Sequence, residues 1–211
     1  VYASIGSART TLIIAAALLL LGVLAFSPAG LVVAAAIDRM NTAIGRTVSW
    51  FVLIAVLISA GNAIIRKLFD MSSNAWLEAQ WVLFGCVFLL CAPWTLLSNE
   101  HIRIDIVNSM FARRVRESIE AVGHLAFLMP LTVVMMVTAW PFFMTSWRIG
   151  EQSLNAGGLP QYPSKFLVPL GFTLLFLQAI SEFSKRIAMN RGIIPDELLG
   201  GGGHHAAAEA E

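Results

Sequence analysis

Apolar residues in this chain come in long, nearly unbroken blocks, without the alternation of a half-buried strand or the narrow stripe of a soluble amphipathic helix. A membrane-crossing helix needs about 20 mostly apolar residues. Four blocks meet that length: Thr47–Phe69, Trp76–Leu97, Ile119–Trp147 and Lys165–Ala188. A fifth, Thr11–Ile37, is long enough but is interrupted by Ser27-Pro28-Ala29-Gly30. Three readings fit it: a span kinked at Pro28, a secretory signal with Arg9 before it and Ala34-Ala35-Ala36 as the small-residue site, or a segment that dips into the membrane. The preferred reading is a span. The pattern therefore predicts an all-α, polytopic membrane helix bundle of four spans plus an extra N-terminal one.

Between the blocks, Asp105–Arg116 places Ile106, Val107, Met110, Phe111 and Val115 at helical spacing and Asp105, Asn108, Arg113, Arg114 and Arg116 on other faces. This predicts a short amphipathic helix on the membrane surface. The end of the chain, from Gly200-Gly201-Gly202-Gly203-His204-His205 into an Ala/Glu run, reads as a flexible tail. Its two histidines fall short of the three or four converging ligands a metal needs.

Composition strengthens this picture. Of 211 residues, 57% are hydrophobic and 13% charged, against about 25% charged in an ordinary soluble domain. The net charge of +1 gives no field that would draw nucleic acid. Cys86 and Cys91, five apart in one apolar block, point in different directions and read as membrane-buried thiols.

Loop charges orient the bundle. With the Asp38–Arg46 linker on the cytoplasmic side, the inside carries Arg39, Arg46, Arg103, Arg113, Arg114, Arg116, Lys185, Arg186 and Arg191. The outside carries only Arg9, Arg66, Lys67, Arg148 and Lys165, so the positive-inside rule favours this orientation and a cytoplasmic C-terminus. Trp50, Trp76, Trp81, Trp94, Trp140 and Trp147 fall near the expected span ends and are expected to act as interfacial anchors.

Chemistry is sparse. No nucleotide-binding glycine loop, metal-ligand cluster or nucleophile elbow is present. His124 is the one histidine within a span, which rules out a two-histidine haem anchor within one chain. It shares a helix face with Glu117 and Glu120, read as the wet entry end of that helix. Charges deep in a membrane usually mark a transport path, and here they are few. Glu78 stands near a span start, and Glu182 lies within reach of Lys185 and Arg186 at i+3 and i+4. Asn62 and Gln178 are candidates for hydrogen bonds across helices. Pro130 is expected to kink its span, while Pro169 falls in the tolerant first turns of the last.

Four stretches together resemble the small membrane subunit of the tripartite ATP-independent periplasmic (TRAP) transporters, the DctQ-like family. They are Ile37-Asp38-Arg39-Met40-Asn41 with Ile44-Gly45-Arg46; Ser59-Ala60-Gly61-Asn62-Ala63 leading to Arg66-Lys67; Asn99-Glu100-His101-Ile102-Arg103-Ile104-Asp105; and Gly150-Glu151-Gln152-Ser153 through Gly157-Gly158-Leu159-Pro160, running on to Pro169-Leu170-Gly171-Phe172. The resemblance covers about Ile37 to Arg191. It divides the chain into an extra hydrophobic segment over 1–37, a DctQ-like four-helix domain over 38–191 and a tail over 192–211.

The resemblance implies a transporter subunit and not an enzyme, placed as a multi-pass protein in a bacterial inner membrane. It implies a large membrane subunit and a periplasmic substrate-binding protein as partners, alongside phospholipids. No cofactor is expected in this chain; sodium coupling, and the path of the organic acid, are expected in the large subunit. Rival readings are a membrane anchor of a redox complex and a self-contained small transporter.

Within that frame Arg66, Lys67, Glu78, Glu151 and Ser153 are candidate partner contacts at the outer face. Glu151 has a competing local role, pairing with Arg148. Glu100, His101, Arg103 and Asp105 form a charged knot expected to position the surface helix on the inner side, each exposed pair contributing about 0–1 kcal/mol.

Overall fold

A computed structural model describes residues 28–70, 73–98, 119 and 122–190. Among these, four helices are long and apolar enough to cross a membrane. They are α1 (Pro28–Phe69), α2 (Asn74–Leu97), α3 (Met129–Ile149, entered through a π turn, His124–Leu128) and α4 (Tyr162–Asn190). The all-α polytopic bundle expected from the sequence is what the chain forms.

The first helix departs from expectation. The Asp38–Arg46 segment, read as a linker, is the interior of a continuous helix of 42 residues. At 1.5 Å per residue that helix is about 63 Å long, twice the hydrocarbon thickness of a bilayer. No break separates Ile37 from Thr47, so Pro28–Ile37 belongs to the same helix as the first confident span. The reason lies in how α1 is buried. Ala34, Asn41, Val48, Ala55 and Asn62 are its buried residues at successive sevenths, with Gly45 between them. A seven-residue repeat keeps one seam facing a neighbour along the full length of a helix. Polar residues near 38–46 interrupt the hydropathy but not this seam. The earlier part of the proposed extra span (11–27), the amphipathic segment 105–116 and the tail lie outside the described residues.

Three helices close on α4, which packs against α1, α2 and α3, while α1 also lies along α2. Small residues permit the close approaches. A Cβ on Gly45 would come within 2.7 Å of the Trp94 side chain, and one on Gly171 within 2.9 Å of the Leu89 carbonyl oxygen. Met129, Ala179 and Ile180 form the apolar core, with Leu128, Phe176 and Phe183 against it. Outward, large apolar residues such as Leu57, Phe88 and Phe127 are exposed, as a lipid-facing surface requires.

Pro130 acts earlier in the chain than a kink at its own position. Its ring would crowd the carbonyl four residues back in an α-helix. The preceding turn is wound wider, with the Met129 amide bonding the His124 carbonyl in the i→i−5 fashion of a π turn.

Candidate functional site

Two polar assemblies stand at opposite ends of the bundle. The first, at the end expected from the loop charges to face outward and called outer for that reason, is built on the loop joining α3 to α4. Gly150 ends α3 in the left-handed region (φ 59°), which a glycine adopts without strain. The chain then forms a compact loop. Gln152 pairs with Pro160 in an isolated bridge, the Ser153 amide bonds Leu159 O at 3.2 Å and the Gln161 amide bonds Glu151 O at 2.9 Å.

Glu78, from the first turns of α2, supplies the centre of that loop. Its carboxylate accepts from the Ser153 hydroxyl, from Asn155 Nδ2 at 2.8 Å and from the Leu159 amide at 2.7 Å. Asn74 Nδ2 donates to the Ala156 carbonyl at 3.0 Å from the same helix end. Gly158 has to be a glycine here: a Cβ would fall 2.7 Å from Glu78 Oε1 and closer still to Ser153. Glu78 is buried and Ser153 half-buried, so both are engaged within the chain.

Glu151 pairs with Lys165 of α4 and not with Arg148. The Lys165 ammonium holds the Glu151 carboxyl below the usual carboxylate range. The same ammonium lies 4.4 Å from the centre of the Phe142 ring. Behind it, Phe143 stacks with Phe166 at 5.0 Å and Trp147 meets Tyr162 edge-on at 5.0 Å, tying the outer ends of α3 and α4 together.

The inner assembly joins α1 to α4. Asn41 Nδ2 donates to Gln178 Oε1 at 2.7 Å; Gln178 Nε2 donates to Asp38 Oδ1 at 2.8 Å and to Glu182 Oε1 at 3.2 Å. Ser181 Oγ reaches Asp38 Oδ1 at 2.7 Å. Lys185 Nζ bridges the two acids, 3.0 Å from Asp38 Oδ2 and in contact with Glu182 Oε1. Asn41, Gln178, Ser181 and Glu182 are at most 1% exposed. The helix face that would be costliest to leave unpartnered in a membrane thus bonds largely to itself, with Asn41 Oδ1 and Glu182 Oε2 the buried oxygens of this group that accept no hydrogen bond.

Part of this is legible in the sequence: the Glu182–Lys185 pair at i+3 is present, and Gln178 bonds across helices, with Asn41 and Asp38. The junction of Asp38 and Asn41 with α4 is not, because hydropathy alone assigns the two residues to a linker. The available signal was their spacing: Ala34, Asp38, Asn41 and Gly45 fall at i, i+4, i+7 and i+11, one helix face.

Arg66 and Lys67 are exposed in the last turn of α1. Trp50, Trp76, Trp81 and Trp147 are exposed, consistent in placement with a lipid-facing surface. Trp94 differs from the expectation of a free anchor, being packed over Gly45 in the α1–α2 seam. Trp140 is exposed like the other four and also contacts Phe143 at 5.9 Å. Glu100, His101, Arg103 and Asp105 lie outside the described residues. Among the described residues no group of three or more His, Cys, Asp or Glu is arranged to hold a metal.

Comparison with known proteins gives one match. A family model described as "Tripartite ATP-independent periplasmic transporters, DctQ component" matches residues 55–189. No curated protein and no solved structure matches the chain.

Proposed function

Because this chain belongs to the DctQ component family of the tripartite ATP-independent periplasmic transporters, we propose that it is the scaffold of such a transporter: it holds a large transporting subunit in the membrane and helps dock the periplasmic binding protein. The family is one of transporter components and not of enzymes. The observation that carries the proposal is the closure of the chain's own polar groups. Glu78 is committed to the outer loop, and Asp38, Glu182 and Lys185 are committed to one another between α1 and α4. A transport path needs polar groups facing a passage; these instead hold helices and a loop in place.

The rest of the proposal follows from that role. Substrate, an organic acid, and the coupling sodium ion are handled by the large subunit. The protein sits in a bacterial inner membrane with its C-terminus in the cytoplasm. Arg66, Lys67 and Glu151 are the outer-face groups offered to partners, while Glu78 and Ser153 contribute by fixing the loop that presents them.

Co-purification tests this directly. The tagged chain, expressed with its neighbouring genes and extracted in mild detergent, is expected to bring down a large polytopic partner in fixed stoichiometry. Substrate uptake into liposomes holding the purified chain alone would defeat the scaffold reading, and a haem spectrum would favour a redox anchor. Glu151→Arg is expected to weaken binding-protein association; uptake and association both unchanged would remove that residue from docking.

A further inference from the structure

Arg39 and Arg46 stand on the side of α1 that faces away from the bundle. At 100° per residue each points about 150° from the buried seam of Ala34, Asn41 and Val48, and both are exposed. Their acidic neighbour offers them nothing: Asp38 turns inward to Gln178, Ser181 and Lys185. Among the described residues neither guanidinium has an ion-pair partner. One turn further toward the membrane centre, Trp50 lies on the same outward line and is 67% exposed, followed by exposed Leu53, Leu57 and Ile64.

Depth decides what these groups meet. Phe69 marks the outer end of α1, and the outer assembly on α2 and the α3–α4 loop stands at that level. Counted from Phe69 along the helix, Trp50 is about 28 Å away, Arg46 about 34 Å and Arg39 about 45 Å. The hydrocarbon layer is about 30 Å thick and the whole bilayer with headgroups about 40–45 Å. With Phe69 at the outer edge of the hydrocarbon, Trp50 sits at its inner edge and Arg46 in the inner headgroup layer, while Arg39 stands about 8–10 Å beyond that layer, within the reach of an anionic surface's field. The two arginines are two helical turns apart, about 10.5 Å, above an unbroken apolar face that accepts acyl chains.

We propose that Arg39, Arg46 and Trp50 form a binding surface for anionic phospholipid on the inner leaflet, the leaflet resting on the orientation proposed above, with Arg46 taking headgroup phosphate, Arg39 adding attraction from the water side and the Trp50–Leu57 face taking the acyl chains. Guanidinium forks suit phosphate oxygens in two-point contact, and the indole suits the boundary between headgroup and chain. This site is independent of the scaffold role, since its ligand is lipid and its residues belong to this chain alone.

The test is native mass spectrometry of the full chain, purified in mild detergent and titrated with phosphatidylglycerol or, in parallel, phosphatidylethanolamine of the same acyl chains. Retained phosphatidylglycerol is expected to exceed phosphatidylethanolamine in the unaltered protein. Arg39→Gln/Arg46→Gln is expected to lower phosphatidylglycerol affinity by at least about fivefold, the share of an arginine at an anionic surface, with the more distant Arg39 adding to it. Arg39→Lys/Arg46→Lys, which keeps charge and serves as the folding control, is expected to retain most of it, and Arg66→Gln/Lys67→Gln at the outer end is expected to leave it unchanged. Equal retention of the two lipids by the unaltered protein would overturn the proposal. So would unchanged phosphatidylglycerol binding in the glutamine variant, including the case where that variant instead loses a co-purifying membrane protein.

Discussion

Lys185 is the residue on which the inner assembly depends. It is the cation between Asp38 of α1 and Glu182 of its own helix, in a site where the lysine side chain is 10% and the glutamate side chain 2% exposed. Removing one member of a buried ion pair leaves the other charge uncompensated, at a cost of about 3–5 kcal/mol. Lys185→Met is expected to lower the stability of the detergent-purified chain by about 3 kcal/mol, read from its denaturation midpoint. Adding Asp38→Asn should cost less than the sum of the two single changes, because both act on one interaction. At the outer end the sign of the pH effect follows from Glu151. Lys165 depresses its carboxyl when the loop is folded. The contribution of that pair is therefore present above the ordinary carboxylate range and is lost as pH falls through the depressed value. Protection of the Gln152–Gln161 amides against hydrogen exchange, relative to their intrinsic rates at each pH, is expected to hold down to the ordinary carboxylate range and to fall below it; Glu151→Gln should abolish the pH step.

Helix α1 shows how an element outlasts its hydropathy. Its continuity rests on a seam of small or polar residues, and Gly45 is the tightest point, directly under Trp94. Cys91 of the same neighbouring helix approaches the Gly45 carbonyl, with its sulfur 3.7 Å away. Gly45→Val is expected to push α1 from α2 and to cost about 1–3 kcal/mol, the range for overpacking a filled site. A Trp94→Ala background should recover part of that loss by vacating the space. If the loss is the same in both backgrounds, the Gly45 contact is not what limits the seam. The outer loop is an element of the same kind, ordered in part from outside itself: beside the bonds within the loop, three of its hydrogen bonds run to Glu78 on α2. Glu78→Ala is expected to expose the loop to proteolysis between Gln152 and Leu159 while leaving helix content unchanged by circular dichroism.

In the whole molecule, α4 is the axis and its inner half is the most polar and most enclosed part of the bundle. Apolar residues are placed outward and the groups that specify pairing are placed inward. Without a hydrophobic force between helices in lipid, small residues and hydrogen bonds decide which helices meet. Accessibility along α1 checks its placement. With the native cysteines replaced, Arg39→Cys is expected to react with a membrane-impermeant thiol reagent from the inner side only, Lys67→Cys from the outer side only, and Leu57→Cys from neither. Labelling of Arg39→Cys from the outer side would reverse the bundle.

The sequence by itself determined the solvent, the helix class and three of the four spans to within about five residues, because a bilayer imposes length and apolarity on any segment that crosses it. It also marked Asp38–Asn41, Glu78 and Gly150–Pro160 as distinctive, and it placed Glu182 beside Lys185, a contact fixed by helical geometry alone. Only the tertiary structure decided what those stretches do. Asp38 and Asn41 read as linker residues until α4 supplies Gln178, Ser181 and Lys185 opposite them, 137 to 147 positions along the chain. For Glu151 the sequence offers a docking contact or a local pairing with Arg148, and the folded loop brings Lys165 to it instead of Arg148. Hydropathy measures the affinity of a segment for lipid; the partner of a polar side chain is set by the packing of helices far apart in sequence, and α1 continues through its charged stretch because that packing buries Asn41 and ties off Asp38 while leaving Arg39 and Arg46 exposed.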